Sequence, residues 1–236
     1  MNIGFERIHP VPEYPPGTSL ELLRGIPWSS RRDIVNLFKS GLKTSLRECQ
    51  LGRCCFCRRL LFDDYATHLE HFLDQASHSD FRYEIRNLAL SCGTCNIKKN
   101  GYFASWTSRY RRLNKPAAVP TPTFRLPLPA GAPFPTAAAD FRWVNPYIHT
   151  YSEHISIQRG WVFQGKTRQG RRTIRGLRLN ELADIERRAL TERLASRGGV
   201  LSTLVGALYE ANHHRRRDIA EAVVKVINRR RLFGTT

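Results

Sequence analysis

Residues 87–99 read NLALSCGTCNIKK. A short apolar run leads into Cys92 and Cys95, spaced C-x2-C, and an asparagine and two lysines follow at once. One such pair would be weak evidence of anything. Upstream, residues 52–59 read GRCCFCRR, where Cys54 and Cys57 repeat the spacing. Zinc takes four soft ligands in a tetrahedron, and two tight CxxC turns each aim two sulfurs inward. Two pairs flanking residues 58–91, in a chain with no visible secretion signal, predict structural zinc at Cys54, Cys57, Cys92 and Cys95 rather than disulfides. Cys49 and Cys55 are spare thiols, although Cys55 could exchange with Cys54. Four thiolates close the coordination sphere, so any reaction must occur beside the zinc and not on it.

Charge points to the partner. The chain of 236 residues has 38 Lys and Arg against 20 Asp and Glu, a formal net charge of +18. Arginine far outnumbers lysine, and its planar fork suits phosphate oxygens. A field of this sign favours polyanions, so DNA or structured RNA is the expected partner. A GC-rich genome would explain arginine over lysine but not the cationic excess. No apolar run approaches the roughly 18 residues of a membrane span, and the opening MNIGFERIHPVPEYPPGTS lacks a basic start followed by an apolar core. No membrane partner and a cytoplasmic location are expected.

The chain divides into four stretches. Residues 1–30, rich in proline and glycine, read as an extended segment. Residues 31–113 hold a helix and then the cysteine pairs. In SSRRDIVNLFKSGLKTSLRECQLGR, Ile34, Leu37, Phe38, Leu42 and Leu46 recur at helical spacing and predict an amphipathic helix ending before Gly52. Residues 114–140 are dense in proline and alanine, which forbids a regular helix and suggests a linker or surface strap. In 141–236, FRWVNPYIH and HISIQRGWVFQGK read as short strands, the second as a hairpin around Arg159-Gly160, and the rest as helices.

Between the cysteine pairs lies YATHLEHFLDQ (65–75), and Asn87 and Asn96 follow in order. This order resembles the HNH (His-Me finger, ββα-metal) endonucleases in their variant with a CxxC pair on each side. The resemblance covers about Gly52 to Gly101. It implies an α+β fold: a zinc-stapled ββα-metal core, a flanking N-terminal helix and a mostly helical C-terminal half. It also implies an enzyme that hydrolyses phosphodiester bonds, with DNA favoured. His71 would be the general base and Asn87 would orient its ring. Glu70 and Asn96 would hold a catalytic Mg²⁺ or Mn²⁺, and Lys98 and Lys99 would meet phosphate. One geometric condition follows. Adjacent side chains on a regular strand point to opposite faces, so Glu70 and His71 converge only at a strand end or bulge. His68 and His78 read as structural, and Asp74 as a solvated carboxylate.

Further stretches, GRCCFC, HLEHFLDQ, NLALSCGTCNIKK and VNPYIHTYSEHISIQRGWVFQGK with the RRTIRGLRLNELADIERR that follows, are similar to small HNH proteins of bacterial anti-phage islands. The nearest group is the PtuB-type nuclease of Septu systems, also found as a retron-associated effector. That resemblance implies a PtuA-like ATPase of the SMC/ABC type as partner, and in retron systems a reverse transcriptase with its msDNA. This chain has no G-x-x-x-x-G-K-[ST] of its own. Arginines 171, 172, 175, 178, 187 and 188 would meet phosphate or an acidic patch on the ATPase. The reading from another class is a zinc-ribbon nucleic-acid-binding protein without catalysis. The Glu70-His71, Asn87, Asn96 order is what a binding ribbon does not need.

Overall fold

The computed structural model describes residues 3–62, 67–112, 122–125, 128, 131–185, 188, 192, 208 and 216–225. Its fold is mixed α/β with two small antiparallel sheets. A short helix α1 (Leu20–Leu23) precedes α2 (Asp33–Cys49), β1 (Thr67–His71), β2 (Leu88–Cys92) and α3 (Gly93–Arg112). Then come α4 (Tyr151–His154), β3 (Ile155–Ile157), β4 (Phe163–Gly165) and α5 (Arg168–Gly176). Among the described residues no helix is long and apolar enough to cross a membrane.

Helix α2 forms where the periodicity places it, but its buried stripe is turned slightly. Val35, Phe38, Leu42 and Leu46 are all 0% exposed, whereas Leu37 is 48% exposed. The Ser30 hydroxyl accepts from the Arg32 N–H at 3.3 Å just ahead of the helix. Gly41 sits mid-helix because Pro15 of the N-terminal segment lies against it: a Cβ there would meet Pro15 at 2.7 Å. Residues 3–30 are therefore packed onto the core, with Phe5, Ile8 and Leu23 buried.

Strands β1 and β2 pair in unbroken register from Thr67 opposite Cys92 to His71 opposite Leu88, and α3 follows β2 without a gap. The outer edge of β2 meets residues from before the hairpin. Leu90 N–H donates to Gln50 Oε1 at 2.7 Å, while Leu90 O accepts from Gln50 Nε2 at 3.0 Å and from Cys55 N–H at 2.8 Å.

Part of the proline-rich stretch is a strap: Phe124 and Phe134 are buried, and Phe124 bridges to Phe141. The strand expected over FRWVNPYIH reduces to that bridge. Asn145 turns the chain instead, its Oδ1 accepting from Tyr147 N–H at 2.8 Å and Ile148 N–H at 3.3 Å, and Pro146 has no N–H to give a ladder. The hairpin around Gly160 forms, with Gly160 at φ 82°. A helix expected to run on from Leu177 starts later: residues 177–180 are a turn and 182–185 are helical. Residues 216–225 are helical, and most of the remaining expected C-terminal helix lies outside the described residues.

Glycines let α5 approach its neighbours. A Cβ on Gly176 would lie 2.1 Å from the Trp143 ring, and one on Gly170 would lie 2.0 Å from the His154 carbonyl oxygen. Backbone cannot move aside as a side-chain tip can. Gly170→Ala should therefore lower stability by about 1–3 kcal/mol despite alanine's better helix propensity, read as a lower urea midpoint at unchanged m-value.

Candidate metal centre and hairpin site

The turn at 54–57 and the β2–α3 junction bring four sulfurs together. Cys54, Cys57, Cys92 and Cys95 are all buried, and their Sγ atoms lie within 4.8 Å of one another. A tetrahedron with Zn–S bonds of about 2.3 Å needs sulfurs about 3.8 Å apart, and Cys57 Sγ and Cys92 Sγ are 3.8 Å apart. Backbone N–H groups aim at the sulfurs: Cys92 N–H donates to Cys54 Sγ at 3.4 Å, and Cys95 N–H to Cys92 Sγ at 3.4 Å. Burial alone would raise the Cys54 thiol, yet hydrogen bonds from Cys55, Cys92 and Cys95 hold it well below the usual range. The four cysteines can hold a metal ion such as zinc. Cys55 stands outside this group of four: its thiol, pushed well up by burial and by its hydrogen bond to Cys54, is a neighbour of the Cys54 sulfur.

Arg58 lies buried inside the first knuckle between Phe5 and Tyr151, 3.7 and 3.9 Å from their ring centroids. Its Nη1 donates to Cys55 O at 3.0 Å. On the outer side, carboxylates from the C-terminal region meet the knuckles: Glu192 accepts from both terminal nitrogens of Arg53, at 3.0 and 3.2 Å.

His71 ends β1. Its Nε2 is 3.0 Å from the Arg82 carbonyl oxygen, so that nitrogen carries the proton and Nδ1 the lone pair. Nδ1 has no partner among the described residues. Trp28 meets the ring edge-on with centroids 4.4 Å apart, and the residue is 7% exposed. Burial pushes the imidazole down to about 4, against the pull of the Arg82 carbonyl. The ring is neutral at pH 7.

Asn87 does not touch that ring. Its Oδ1 accepts from Leu73 N–H at 2.7 Å, its Nδ2 donates to Leu73 O and Phe81 O at 3.0 Å each, and its carbonyl accepts from Phe72 N–H at 2.8 Å. It ties together the two ends of the loop whose Arg82 carbonyl holds the imidazole. The ring-orienting role expected of Asn87 falls directly to Arg82.

Glu70 takes the opposite face, as regular alternation requires. It is 3% exposed and ion-paired with Lys99. Lys99, 2% exposed, also donates to His71 O at 2.6 Å and lies 4.5 Å from the Phe103 ring centroid. Burial raises the Glu70 carboxyl against the attraction of that ammonium. Two expectations are corrected here. Glu70 does not offer open oxygens beside His71, and Lys99 is sealed away from any phosphate. Lys98 is also engaged: its ammonium pairs with Glu181 and Asp184. Asn96 is half-buried on the first turn of α3, and its amide has no partner among the described residues. Since Lys99 already supplies the cation at Glu70, this arrangement does not fit a Mg²⁺ held by Glu70 and Asn96.

Trp28 and the Arg82 carbonyl went unnoticed in the sequence. Neither sits in the spaced motif, and a backbone carbonyl leaves no mark on residue identity. Among the C-terminal arginines, Arg188 is buried over the Phe163 ring and closed to phosphate, whereas Arg178 pairs with Glu181 at the exposed surface. Arg187 lies outside the described residues.

Scans against protein-family models, curated proteins and solved structures give no match to this chain.

Cys92→Ser should lower bound zinc well below one equivalent and lower the melting temperature, measured by elemental analysis and calorimetry. His71 gives a pH signature. With its folded pKa depressed to about 4, its stabilising contribution is complete above about 6.5 and falls away as pH drops through 4, a loss of about 3 kcal/mol. His71→Asn should flatten that part of the acid limb in urea melts taken between pH 4 and 7.

Proposed function

We propose that the chain is an endonuclease that hydrolyses phosphodiester bonds of nucleic acid, DNA foremost, with His71 as general base. The supporting observation is the imidazole itself: neutral, fixed in one tautomer by the Arg82 carbonyl, with Nδ1 unbonded among the described residues. A base needs that arrangement, a lone pair available at pH 7 and a second nitrogen anchored behind it. Nδ1 takes the proton of a water as its oxygen attacks phosphorus and the 3′-oxygen leaves. Two antiparallel strands followed directly by a helix, with a four-cysteine cluster able to hold zinc, agree with the HNH resemblance. That resemblance also supports a role as an anti-phage effector beside an SMC/ABC-type ATPase. The Mg²⁺ or Mn²⁺ it implies is left to the assay, because Glu70 is held by Lys99.

A second reading, a zinc-stapled nucleic-acid-binding protein without catalysis, is favoured by that same Glu70–Lys99 pair and by the low exposure of His71.

Cleavage of plasmid DNA, single strands and folded RNA, with and without Mg²⁺ or Mn²⁺, separates the two. His71→Ala should cut roughly 10²–10⁴-fold more slowly with zinc content unchanged. Equal cleavage by mutant and wild type after repurification would remove His71 as base. Binding without cleavage under every condition would establish the second reading.

A further inference from the structure

Outside the hairpin, three separate segments converge their arginines. The bridge between Phe124 and Phe141 puts Arg125 and Arg142 on one face, diagonally across the pair: Arg125 N–H donates to Asp140 O at 2.9 Å and Arg142 N–H to Thr123 O at 2.7 Å. Helix α5 is locked beside them, Thr173 Oγ1 accepting from Val144 N–H at 2.9 Å. Its sequence RQGRRTIRG carries four arginines and no acid. Burial and then the charges of Arg168, Arg142 and Arg125 act on Arg172 and hold its guanidinium below its usual range, so Arg172 feels all three. The Arg142 guanidinium also lies 5.5 Å from the Trp106 ring centroid on α3.

None of these four arginines has a carboxylate partner among the described residues. Arg142 Nε is buried without a hydrogen-bond acceptor. Four other cations, Lys98, Lys99, Arg53 and Arg178, do have carboxylate partners. A groove of about 910 Å³ beside Arg82 mixes Arg24, Arg82 and Arg86 with Asp80 and Glu84, and so offers no single-sign field. Four guanidinium groups, with Arg168 on the first turn of a nine-residue helix and Arg172 at its middle, lack an anion. Planar forks spaced along a surface match the repeated oxygens of a phosphodiester chain.

We propose that Arg125, Arg142, Arg168 and Arg172 form a docking face for the phosphodiester backbone of nucleic acid, with Trp106 along its edge. The face deepens the proposed function by holding the polymer to be cut, yet it needs no chemistry at His71.

The test uses the full-length chain, a fluorescein-labelled DNA duplex about three helical turns long, and fluorescence anisotropy across a salt series. Arg142→Gln with Arg172→Gln should weaken binding at least about tenfold and reduce the slope of log K against log salt by about 2, near 0.9 per lost contact. Arg7→Gln with Arg159→Gln, which removes two exposed charges outside the cluster, should leave both nearly unchanged. His71→Ala should bind as the wild type does, whereas wild-type protein that binds the duplex but cleaves nothing would overturn the nuclease reading and leave the docking face standing. If Arg142→Gln lowers the melting temperature, Arg168→Gln with Arg172→Gln reads the same face. Unchanged binding in the patch variant, an equal loss in the control pair, or displacement of the duplex by polyglutamate at equal charge concentration would overturn the proposal.

Discussion

Everything around the hairpin depends on four sulfurs meeting in one buried place. Cys54 and Cys57 belong to the turn after α2, and Cys92 and Cys95 to the junction where β2 becomes α3. When these meet, α2, the hairpin and the start of α3 lose their freedom relative to one another. The N–H groups of Cys92 and Cys95 already point at sulfur, so the peptide geometry suits thiolates before any ion is considered. Binding an ion at such a site is coupled to folding, because the unfolded chain has no such arrangement to offer.

From that clamp the hairpin inherits a strict alternation. Glu70 faces α3 and is satisfied by Lys99, while His71 faces the N-terminal segment and is satisfied by Arg82 and Trp28. The two residues adjacent in sequence thus serve opposite sides of one sheet. Lys99 links them, since the ammonium that meets the Glu70 carboxylate also takes the His71 carbonyl. Removing one partner of a buried pair of this kind strands the other, typically at a cost of several kcal/mol.

Much of the framework was legible in the residues. Helix α2, the four-cysteine cluster and the β3–β4 hairpin each carry a local signal: a 3.6-residue period, a repeated spacing, a glycine turn. The phase of α2 was less legible, because Val35 and Leu37 are both apolar and only the neighbours decide which is covered. The hairpin site was legible in order but not in direction. The order Glu70, His71, Asn87, Asn96 is plain in the sequence, whereas tertiary contacts decide that Asn87 pins a loop and that Lys99 is an internal counter-ion. Trp28 reaches His71 from a segment whose composition suggested only an extended strand of chain.

The bonds from Gln50 and Cys55 to Leu90 carry one more consequence. A two-stranded ribbon has two bare margins, and a bare margin is a template on which another chain can add a strand and begin to aggregate. On β2 the middle of that margin is already occupied by a side-chain amide that copies a peptide's donor and acceptor, and by a true peptide N–H from the knuckle. Gln50, 0% exposed, acts as a one-residue imitation of a third strand and keeps so small a sheet from recruiting its own kind.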